Sequence, residues 1–434
     1  MDTLCIKSIP VTDIIVYNKN VKEHGDEQVR QIANSIKEFG FTNPILIDEK
    51  NEIVAGHGRY AAAKLLGLET VPVIQISHLS DKQKRAYRIA DNKIAEKSGW
   101  NTDLLKMELS ELETICDFDI QLTGFDTIEV DTLLTNTKTK KISEKENSVQ
   151  FITDEEIITK PGDLWLIGNH KLLCGSSLEE GSFIRLIDGK TADLVVQDPP
   201  YNLSAKSIGS SGNTKHTDFQ MASGEMTSAE FTKFLSNNFA LCSKYSNKNA
   251  LIYNFMDWRH CREILDAGEA NFGSLINLCV WKKPTGGMGK LYRSQHELCF
   301  VFNNGDKHYI DNVELGKHGR YRTNCWEYGA VGSFGVHKSD IVMHPTVKPY
   351  EMIKDIILDA SPRNGIVLDS FIGSGTCFIA AEKAKRRCYG IELEPKYCDT
   401  AIRRMHDLFG IDAVNAESGK TYTQILSEIK GDIK

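Results

Sequence analysis

The chain has 434 residues, 41% of them hydrophobic and 26% charged, which is typical of a globular protein with room for two or three domains. No apolar run approaches the roughly 20 residues that span a bilayer, and the formal net charge of −7 excludes a uniformly basic surface while allowing a local basic face. Eleven cysteines without a C-x-x-C pair, and no signal segment at the N-terminus, predict reduced thiols, no metal site and a cytoplasmic location.

The first 130 residues alternate short helices and strands. A helix is expected from the capping residue Asp26 to Phe39, because apolar residues recur there at helical spacing. Strands are predicted at 44–48 and 52–55, and a further helix at 61–66. We therefore expect a small α+β domain at the N-terminus.

A glycine-rich turn precedes the second of these helices. Gly56, Gly58 and Arg59 place free backbone N–H groups and a cation near a helix N-terminus, where they can hold a phosphate. The alternative is a tight turn beside a solvated arginine. The run 56–60 resembles the box of ParB/sulfiredoxin-like domains, which implies a phosphate or nucleotide ligand with Arg59 as its contact. Because His57 and Gly58 stand where partition proteins carry an acid and paired arginines, nucleotide hydrolysis is not expected.

A helical stretch and a polar stretch follow the small domain. Residues 80–112 are predicted to be helical, with cations at Lys82, Lys84, Arg85 and Arg88. Such a helix either contacts DNA phosphates or presents a solvated face, and both interpretations stay open. Residues 131–148 lack apolar periodicity and predict a linker. The predicted domains are therefore 1–130 and 151–434, joined by a linker at 131–150.

One short run organises the second domain. Strands are predicted at 164–167, 171–174 and 194–197, and the third is followed by Asp198, Pro199, Pro200, Tyr201 and Asn202. Prolines end a strand abruptly because they supply no ladder donor. The run therefore begins at the carboxyl end of a buried parallel strand, which is where open α/β sheets bind ligands.

The residue types in this run suit the methylation of an amine. An exocyclic amine on a nucleobase is a poor nucleophile because its lone pair is delocalised into the ring. Hydrogen bonds from the amine to the Asp198 carboxylate and to the Pro199 carbonyl would free that pair. Tyr201 offers a flat face for a base extruded from a duplex, a stacking contact worth roughly 1–3 kcal/mol.

A long polar stretch at 204–228 is predicted to border the site, and the α/β alternation then continues. Helices are expected at 229–242 and 258–267, and strands at 250–255, 275–281 and 297–302. Between and after the last two strands, eight cations face four anions and alternate with aromatic residues, as in a DNA-facing surface. The candidate phosphate contacts are Lys282, Lys283, Arg293, Arg320 and Arg322.

The last informative stretch is a strand, a glycine loop, a helix and a second strand. The strands are predicted at 366–369 and 388–391 and the helix at 377–385. Asp369 ends the first strand and Glu392 follows the second, about 20 residues beyond the first glycine of the loop, as in nucleotide sites that bind ribose hydroxyls. The candidate cofactor-binding residues of the loop are Phe371, Gly373, Gly375 and Thr376. The third glycine of the NAD pattern is missing, which favours S-adenosylmethionine.

Three motifs in this order resemble a known family. Residues 198–201 resemble the DPPY motif of the amino-methylating DNA methyltransferases, and the catalytic motif precedes the cofactor loop, as in their permuted β group. The resemblance implies that Asp198, Pro199, Pro200 and Tyr201 are catalytic and that 369–376 and Glu392 bind S-adenosylmethionine. It also implies that Thr346 and Lys348, within a His-Pro-Thr-x-Lys-Pro segment, hold the carboxylate of the cofactor. Ser176 departs from the family, which usually has an Asp there.

The sequence thus predicts an α/β S-adenosylmethionine-dependent methyltransferase sheet with helices on both faces, preceded by a ParB-like domain. The expected reaction is site-specific transfer of a methyl group to the exocyclic amine of adenine in double-stranded DNA. Cytosine N4 methylation is the first alternative, and a DNA-binding, partition-like protein with an inactive methyltransferase half is the second. The resemblance allows a homodimer and a cognate endonuclease encoded elsewhere.

Overall fold

The computed structural model describes residues 5–114, 118–135, 144–149, 151–152, 156–203, 224–286, 291–305, 308–313, 322–329 and 347–431. The chain divides into two compact units, Met1–Thr137 and Lys138–Lys434. Each unit is built around a sheet of its own. Among the described helices, none combines the length and the apolar character that crossing a membrane requires.

The elements follow one another in chain order. Those of the first unit are β1 (Ile6–Pro10), α1 (Asp26–Phe39), β2 (Ile45–Ile47), β3 (Ile53–Ala55), α2 (His57–Leu65), β4 (Thr70–Gln75), α3 (Asp81–Ala95), α4 (Thr102–Thr114) and α5 (Thr127–Thr135). Those of the second unit are α6 (Glu144–Asn147), β5 (Leu164–Ile167), β6 (His170–Cys174), α7 (Glu180–Ile187), β7 (Ala192–Gln197), α8 (Ser228–Lys244), β8 (Ser246–Met256), α9 (Cys261–Asn271), β9 (Leu275–Lys282), β10 (His296–Asn303), β11 (Cys325–Glu327), α10 (Tyr350–Ala360), β12 (Ile366–Asp369), α11 (Thr376–Lys383), β13 (Arg387–Glu392), α12 (Pro395–Phe409), β14 (Val414–Asn415) and α13 (Tyr422–Gly431).

The first unit contains a small sheet with the strand order β1-β4-β2-β3. Its core includes Ile45, Ile53 and Val71, which are fully buried. The predicted helix at 26–39 is confirmed. Helix α2 begins at His57, earlier than the predicted 61, because Gly56 takes a left-handed conformation (φ 105°) as its N-cap.

The predicted helical stretch 80–112 is two helices, α3 and α4, with Gly99 between them. Two of its four cations point into the unit. Lys84 is 3% exposed and its Nζ contacts the Glu49 carboxylate at 2.7 Å. Arg88 is 7% exposed and donates to Glu52 at 2.8 Å. Neither is available to DNA, so that interpretation is wrong for both residues.

The second unit contains a large mixed sheet with the strand order β11-β9-β10-β8-β7-β12-β13-β6-β5-β14. Its centre is a run of parallel strands, β6, β13, β12, β7 and β8. On β7, Leu194 and Val196 lie in the core cluster that also holds α10 and α11 residues, whereas Val195 lies in the cluster with α8 and α9. The strand is therefore buried on both faces, as its apolar sequence predicts.

The predicted linker at 131–150 is partly structured. Helix α5 runs to Thr135, and Asp131 is only 3% exposed. Within the second unit, Asn147 and Val149 are buried. The polar sequence of this stretch was misleading, because Asn147 makes hydrogen bonds to α10 instead of facing water.

Candidate active site

Three acids lie at the carboxyl edge of the parallel strands. Asp198 directly follows β7, Asp369 is the last residue of β12 and Glu392 is the last residue of β13. Because β7, β12 and β13 are neighbouring parallel strands, their carboxyl ends meet at one edge of the sheet. The structure therefore brings the acid of the central run next to the two acids of the glycine loop.

Asp198 is held from two sides. Its Oδ1 accepts a hydrogen bond from the Tyr201 hydroxyl at 2.6 Å, and its Oδ2 accepts one from Lys348 Nζ at 2.6 Å. Burial raises the pKa of Asp198 above its ordinary value, although the Lys348 ammonium opposes the shift. The side chain is 29% exposed. Because a carboxylate offers about four lone-pair sites, Asp198 can still accept a hydrogen bond from a substrate amine.

Lys348 belongs to a buried charge cluster. Its side chain is 6% exposed, and its Nζ lies 3.1 Å from Glu297 Oε2 and 3.1 Å from the Tyr201 hydroxyl. Lys283 pairs with the other carboxylate oxygen of Glu297. Burial acts to lower the pKa of Lys348, but Asp198 and Glu297 outweigh it and the pKa is raised. The cluster therefore holds two lysines and two carboxylates in fixed positions beside Tyr201.

The glycine loop faces open space at one glycine and packs tightly at the other. Gly373 and Gly375 have positive φ values of 53° and 83°. A Cβ at Gly375 would lie 2.7 Å from the Ala401 Cβ on α12, so this close approach requires glycine. A Cβ at Gly373 would meet only the Phe371 carbonyl oxygen, at 3.9 Å. The loop therefore leaves room for a ligand beside Gly373, and Thr376 begins α11 immediately after it.

The acids next to the loop fit the expected cofactor. Glu392 Oε2 accepts a hydrogen bond from the Gly373 N–H at 2.9 Å, and Asp369 Oδ1 accepts one from the Phe371 N–H at 3.0 Å. Burial raises the pKa of Glu392 to about 7 and that of Asp369 to about 8. Two buried carboxyl groups with raised pKa favour a ligand that brings positive charge and hydroxyl donors. S-adenosylmethionine, with a sulfonium, an ammonium and a ribose, has this chemistry.

An open cleft of about 400 Å³ lies along α8. The ring of Phe234, which lines the cleft, lies 6.1 Å from the ring of Phe371. Ser176, the residue that departs from the family, accepts a hydrogen bond from the N–H of Leu178, another lining residue. The volume suits a small-molecule ligand. The residues that line it are Leu178, Glu225, Met226, Glu230, Lys233, Phe234 and Asn237.

Asn202, the last residue of the central run, contacts the residues just before α8. Its Oδ1 accepts hydrogen bonds from the N–H groups of Gly224 and Met226, and its Nδ2 donates to the Met226 carbonyl. Asn202 has a positive φ of 50°, which Asn tolerates better than most residues. The long polar stretch at 204–228 lies outside the described residues up to 223, so its predicted place at the site is untested.

Each described cation that was predicted to contact DNA has a partner within the second unit. Lys283 contacts Glu297 in the charge cluster. Arg322 contacts Asp355 at 3.0 Å and Asp359 at 2.5 Å, which argues against a phosphate contact for this residue. Lys282 pairs with Glu327 on the surface, and Arg293 donates to the Gly286 carbonyl. Arg320 lies outside the described residues, and so does Thr346, which was predicted to bind the cofactor.

The glycine–arginine turn of the first unit has the predicted helix N-terminus. However, the Arg59 guanidinium donates to the backbone carbonyls of Asn43 and Pro44 at 2.7 and 2.8 Å. Burial lowers the pKa of the neighbouring His57 to about 4, so the imidazole is neutral near pH 7. Arg59 therefore fixes the backbone just before β2, and its role as a phosphate ligand stays a prediction.

Two residues of the site were not assigned a role from the sequence. Glu297 looked like one anion among many cations, but it is the second residue of β10 and lies beside Lys348. Arg404 lies in α12, which was not predicted from the sequence, and its guanidinium donates to the Ser374 carbonyl at 2.6 Å. Neither residue has a local sequence signal for its contacts, because both partners are distant in the chain.

Comparison with known proteins agrees with this geometry. Residues 192–403 match the family described as DNA methylase, residues 2–93 the ParB N-terminal domain and residues 103–161 the ParB-methyltransferase HTH domain. The ParB-like nuclease domain-containing protein YnaK of Escherichia coli K12 is 53% identical over 76 residues, which are 18% of this chain and 87% of that protein. The type II methyltransferase M.HpaI of Haemophilus parainfluenzae is 23% identical over 262 residues, covering 57% of this chain and 78% of that protein.

Among solved structures, the M1.HpyAVI–SAM complex matches with 21% identity and a TM-score of 0.38, covering 54% of this chain and 98% of that chain. The sheet, the glycine loop and the acids define the second unit as an S-adenosylmethionine-dependent methyltransferase. More particularly, the chain carries a DNA methylase domain of the N6/N4 family, which acts on exocyclic amines of DNA bases. In the sequence this domain follows a ParB N-terminal domain.

Proposed function

We propose that this protein transfers the methyl group of S-adenosylmethionine to the exocyclic N6 amine of adenine in double-stranded DNA. The observation that carries the proposal is the position of the Asp198–Tyr201 hydrogen bond at the same sheet edge as Asp369 and Glu392. The carboxylate proposed to accept a hydrogen bond from the target amine and the candidate cofactor site thus lie side by side. The order of these motifs, with 198–201 before the loop at 369–376, supports the permuted β group.

Asp198 and its neighbours act on the target amine. The Asp198 carboxylate accepts a hydrogen bond from the amine, and the Pro199 carbonyl accepts a second, so the lone pair of the nitrogen becomes available. The raised pKa of Asp198 makes it a stronger acceptor than an ordinary carboxylate and lets it take the proton that the methylated nitrogen releases. Pro200 fixes the backbone between these acceptors and Tyr201, whose ring stacks on the flipped base.

Lys348 and Glu297 prepare the site electrostatically. The Lys348 ammonium keeps Asp198 ionised against the effect of burial, and Glu297 holds Lys348 from the opposite side. These groups are placed before substrate arrives, so little reorganisation is needed during transfer. The family resemblance also implies a contact between Lys348 and the cofactor carboxylate. This contact is a further part of the proposal, beside the observed contact of Lys348 with Asp198.

The loop residues hold the cofactor. Glu392 binds the ribose hydroxyls and Asp369 the cationic groups, while Gly373 leaves the space that the ligand occupies. Phe371, Gly375 and Thr376 shape the loop, and Thr346 completes the proposed set. When bound, the cofactor supplies an electrophilic methyl group on a positively charged sulfur.

Adenine is proposed as the target base because family relatives with Asp at the first motif position mostly act there, whereas those acting on cytosine more often carry Ser. The ParB-like unit is proposed to alter DNA affinity or targeting without entering the chemical step. Lys282 and Arg293, which are exposed, are the proposed phosphate contacts of the second unit. A cognate endonuclease and a homodimer stay compatible with this function.

The test uses the full-length protein, S-adenosylmethionine labelled in its methyl group and unmethylated duplex DNA. After transfer, the DNA is digested and its nucleosides are separated and identified by mass spectrometry. We expect N6-methyladenine. N4-methylcytosine would overturn the choice of base, and cofactor binding without any transfer to DNA would favour the inactive alternative.

A further inference from the structure

Residues 144–149, called here the 144–149 segment, contact the first turn of α10, next to Lys348, and also Arg404, which in turn contacts the glycine loop. We infer that this segment is a positioning element for methyl transfer: Asn147 fixes the start of α10 next to Lys348, and Glu146 holds the glycine loop through Arg404. The inference rests on the proposed function, because it assigns a role in the same site. None of these residues needs to touch the cofactor or the base.

Asn147 caps α10 from about 200 positions away in the chain. The Tyr350 N–H donates to Asn147 Oδ1 at 3.0 Å, and Asn147 Nδ2 donates to Glu351 Oε2 at 3.0 Å. The residue at the N-cap position is Pro349, whose side chain cannot accept a hydrogen bond. The first turn of a helix leaves N–H groups without helical partners, so an external acceptor stabilises this end. Because Lys348 is two residues before Tyr350, the cap also sets where the Lys348 side chain begins.

Arg404 connects the same segment to the glycine loop. One guanidinium nitrogen donates to the Ser374 carbonyl at 2.6 Å and lies 3.4 Å from the Thr376 hydroxyl, and the other donates to the Glu146 carbonyl at 2.8 Å. Arg404 is 7% exposed, and burial lowers its pKa to about 10, so it stays charged near pH 7. The planar fork of arginine can hold two carbonyls in fixed relative positions.

The segment is itself anchored at several points. Val149 is buried, and Glu146 Oε1 contacts Lys383 on α11 at 2.8 Å. The apolar contact holds the segment against the rest of the unit. The polar contacts go to the start of α10 and to Arg404. A misplacement of about 1 Å in a catalytic group can cost on the order of 10²-fold in rate. The segment therefore affects catalysis through Lys348 and the cofactor through the loop.

The first experiment compares Asn147→Ala with Asn312→Ala in the full-length protein. Asn312 is a matched control, because its side chain donates to the Leu358 and Ser361 carbonyls at the opposite end of α10. We expect Asn147→Ala to lower kcat by about 10-fold with little change in KM for S-adenosylmethionine. The acid limb of its pH–kcat profile should move to higher pH, because a displaced Lys348 no longer lowers the pKa of Asp198.

A rescue variant separates positioning from loss of folding. Asn147→Asp combined with Glu351→Gln keeps the hydrogen bond from the Tyr350 N–H and restores the one between side chains 147 and 351 with donor and acceptor exchanged. This double variant should recover kcat and the pH profile. If Asn147→Ala keeps the kcat and pH profile of Asn312→Ala, the role of Asn147 is refuted. If Asn147→Ala fails to fold and the double variant folds without recovering kcat, the role is refuted as well.

The second experiment measures S-adenosylmethionine binding by calorimetry in Arg404→Met and Arg403→Met. Arg403 is the adjacent residue of α12, and its guanidinium contacts Tyr422 and Glu156 instead of the loop. We expect the dissociation constant to rise about 10-fold, or ~1.4 kcal/mol, only in Arg404→Met. Equal affinity in the two variants overturns the role of Arg404. This measurement needs no DNA, so it distinguishes a failed inference from a wild-type protein that does not methylate DNA.

Discussion

At the scale of single residues, Asp198 carries the most specific prediction. Asp198→Asn keeps the shape of the side chain but removes the charge that attracts the amine proton. We expect methyl transfer to fall by at least about 10²-fold while the affinity for S-adenosylmethionine stays nearly unchanged. Single-turnover transfer and calorimetry measure the two quantities. Asp257→Asn is the control, because Asp257 follows the neighbouring strand β8 and caps a short helix. Equal loss of transfer and cofactor binding would refute the role of Asp198.

A second residue-scale prediction concerns pH. The pKa of Glu392 is raised to about 7, so the cofactor-free protein holds a proton there that the unfolded chain releases near pH 4.5. The free energy of unfolding contributed by Glu392 therefore falls as pH rises from about 4.5 to about 7. A cationic ligand favours the ionised form, so S-adenosylmethionine binding should strengthen between pH 6 and about 8, where Asp369 also ionises, and should release protons.

Calorimetry at pH 6.5 in two buffers with different ionisation enthalpies measures this release. In Glu392→Gln the number of protons released should decrease, and the pH dependence of affinity should flatten. If wild type and Glu392→Gln release the same number of protons, Glu392 does not titrate on binding.

How far residue roles follow from the sequence depends on how local the signal is. Asp198 and Tyr201 are neighbours in the chain, and their joint role was predicted from the run itself. Lys348 was assigned to the cofactor, whereas the structure places its ammonium against Asp198 and Glu297. That contact joins three separate elements, and no spacing in the sequence encodes it.

At the scale of elements, the glycine loop has a matched test elsewhere in the chain. Gly373 and Gly410 both have positive φ, 53° and 69°, and neither has a close neighbour where a Cβ would go. Valine at either position should strain the backbone by about 1–2 kcal/mol. We expect both Gly373→Val and Gly410→Val to lower Tm, but only Gly373→Val to lose S-adenosylmethionine binding. Wild-type affinity in Gly373→Val would place the cofactor elsewhere.

Strand direction explains which elements could be assigned from the sequence. The apolar run of β7 and its prolines predicted a parallel strand, and this prediction is confirmed. The site at its carboxyl end stays a prediction. Strand β10 is antiparallel to β8, so its first residues, including Glu297, lie at the same edge. Periodicity alone does not reveal strand direction. The polar residues 144–149 were assigned to a linker for a related reason, since their hydrogen-bond partners lie in α10 and α12.

At the scale of the whole molecule, the place where the chain is cut decides whether the catalytic unit works alone. We expect a fragment of residues 138–434 to bind S-adenosylmethionine and to transfer methyl groups at the intrinsic rate of the full chain, with weaker or altered DNA targeting. A fragment of residues 150–434 should bind the cofactor less tightly and transfer more slowly, because it lacks the contacts of Glu146 and Asn147. Binding and transfer assays on both fragments measure this.

Two results with these fragments would contradict the expectation. If the 138–434 fragment folds and binds the cofactor but methylates no DNA, the ParB-like unit belongs to the catalytic machine. If the two fragments are equally active, residues 144–149 are dispensable. Arg59→Ala is less informative than its sequence position suggests, because the guanidinium holds the Asn43 and Pro44 carbonyls and its loss should also destabilise the first unit.

The pairing of β6 with β13 has a consequence for synthesis on the ribosome. Cys174 is opposite Glu392, so β6 leaves the ribosome roughly 200 residues before its parallel partner, a delay of about 10–40 s at ~5–20 residues per second. The first unit completes its sheet within its first 75 residues and is free to fold during that time. The nascent methyltransferase half must instead wait with β6 paired only to β5 and its other edge open, and we expect it to be the part of the chain that depends on chaperones.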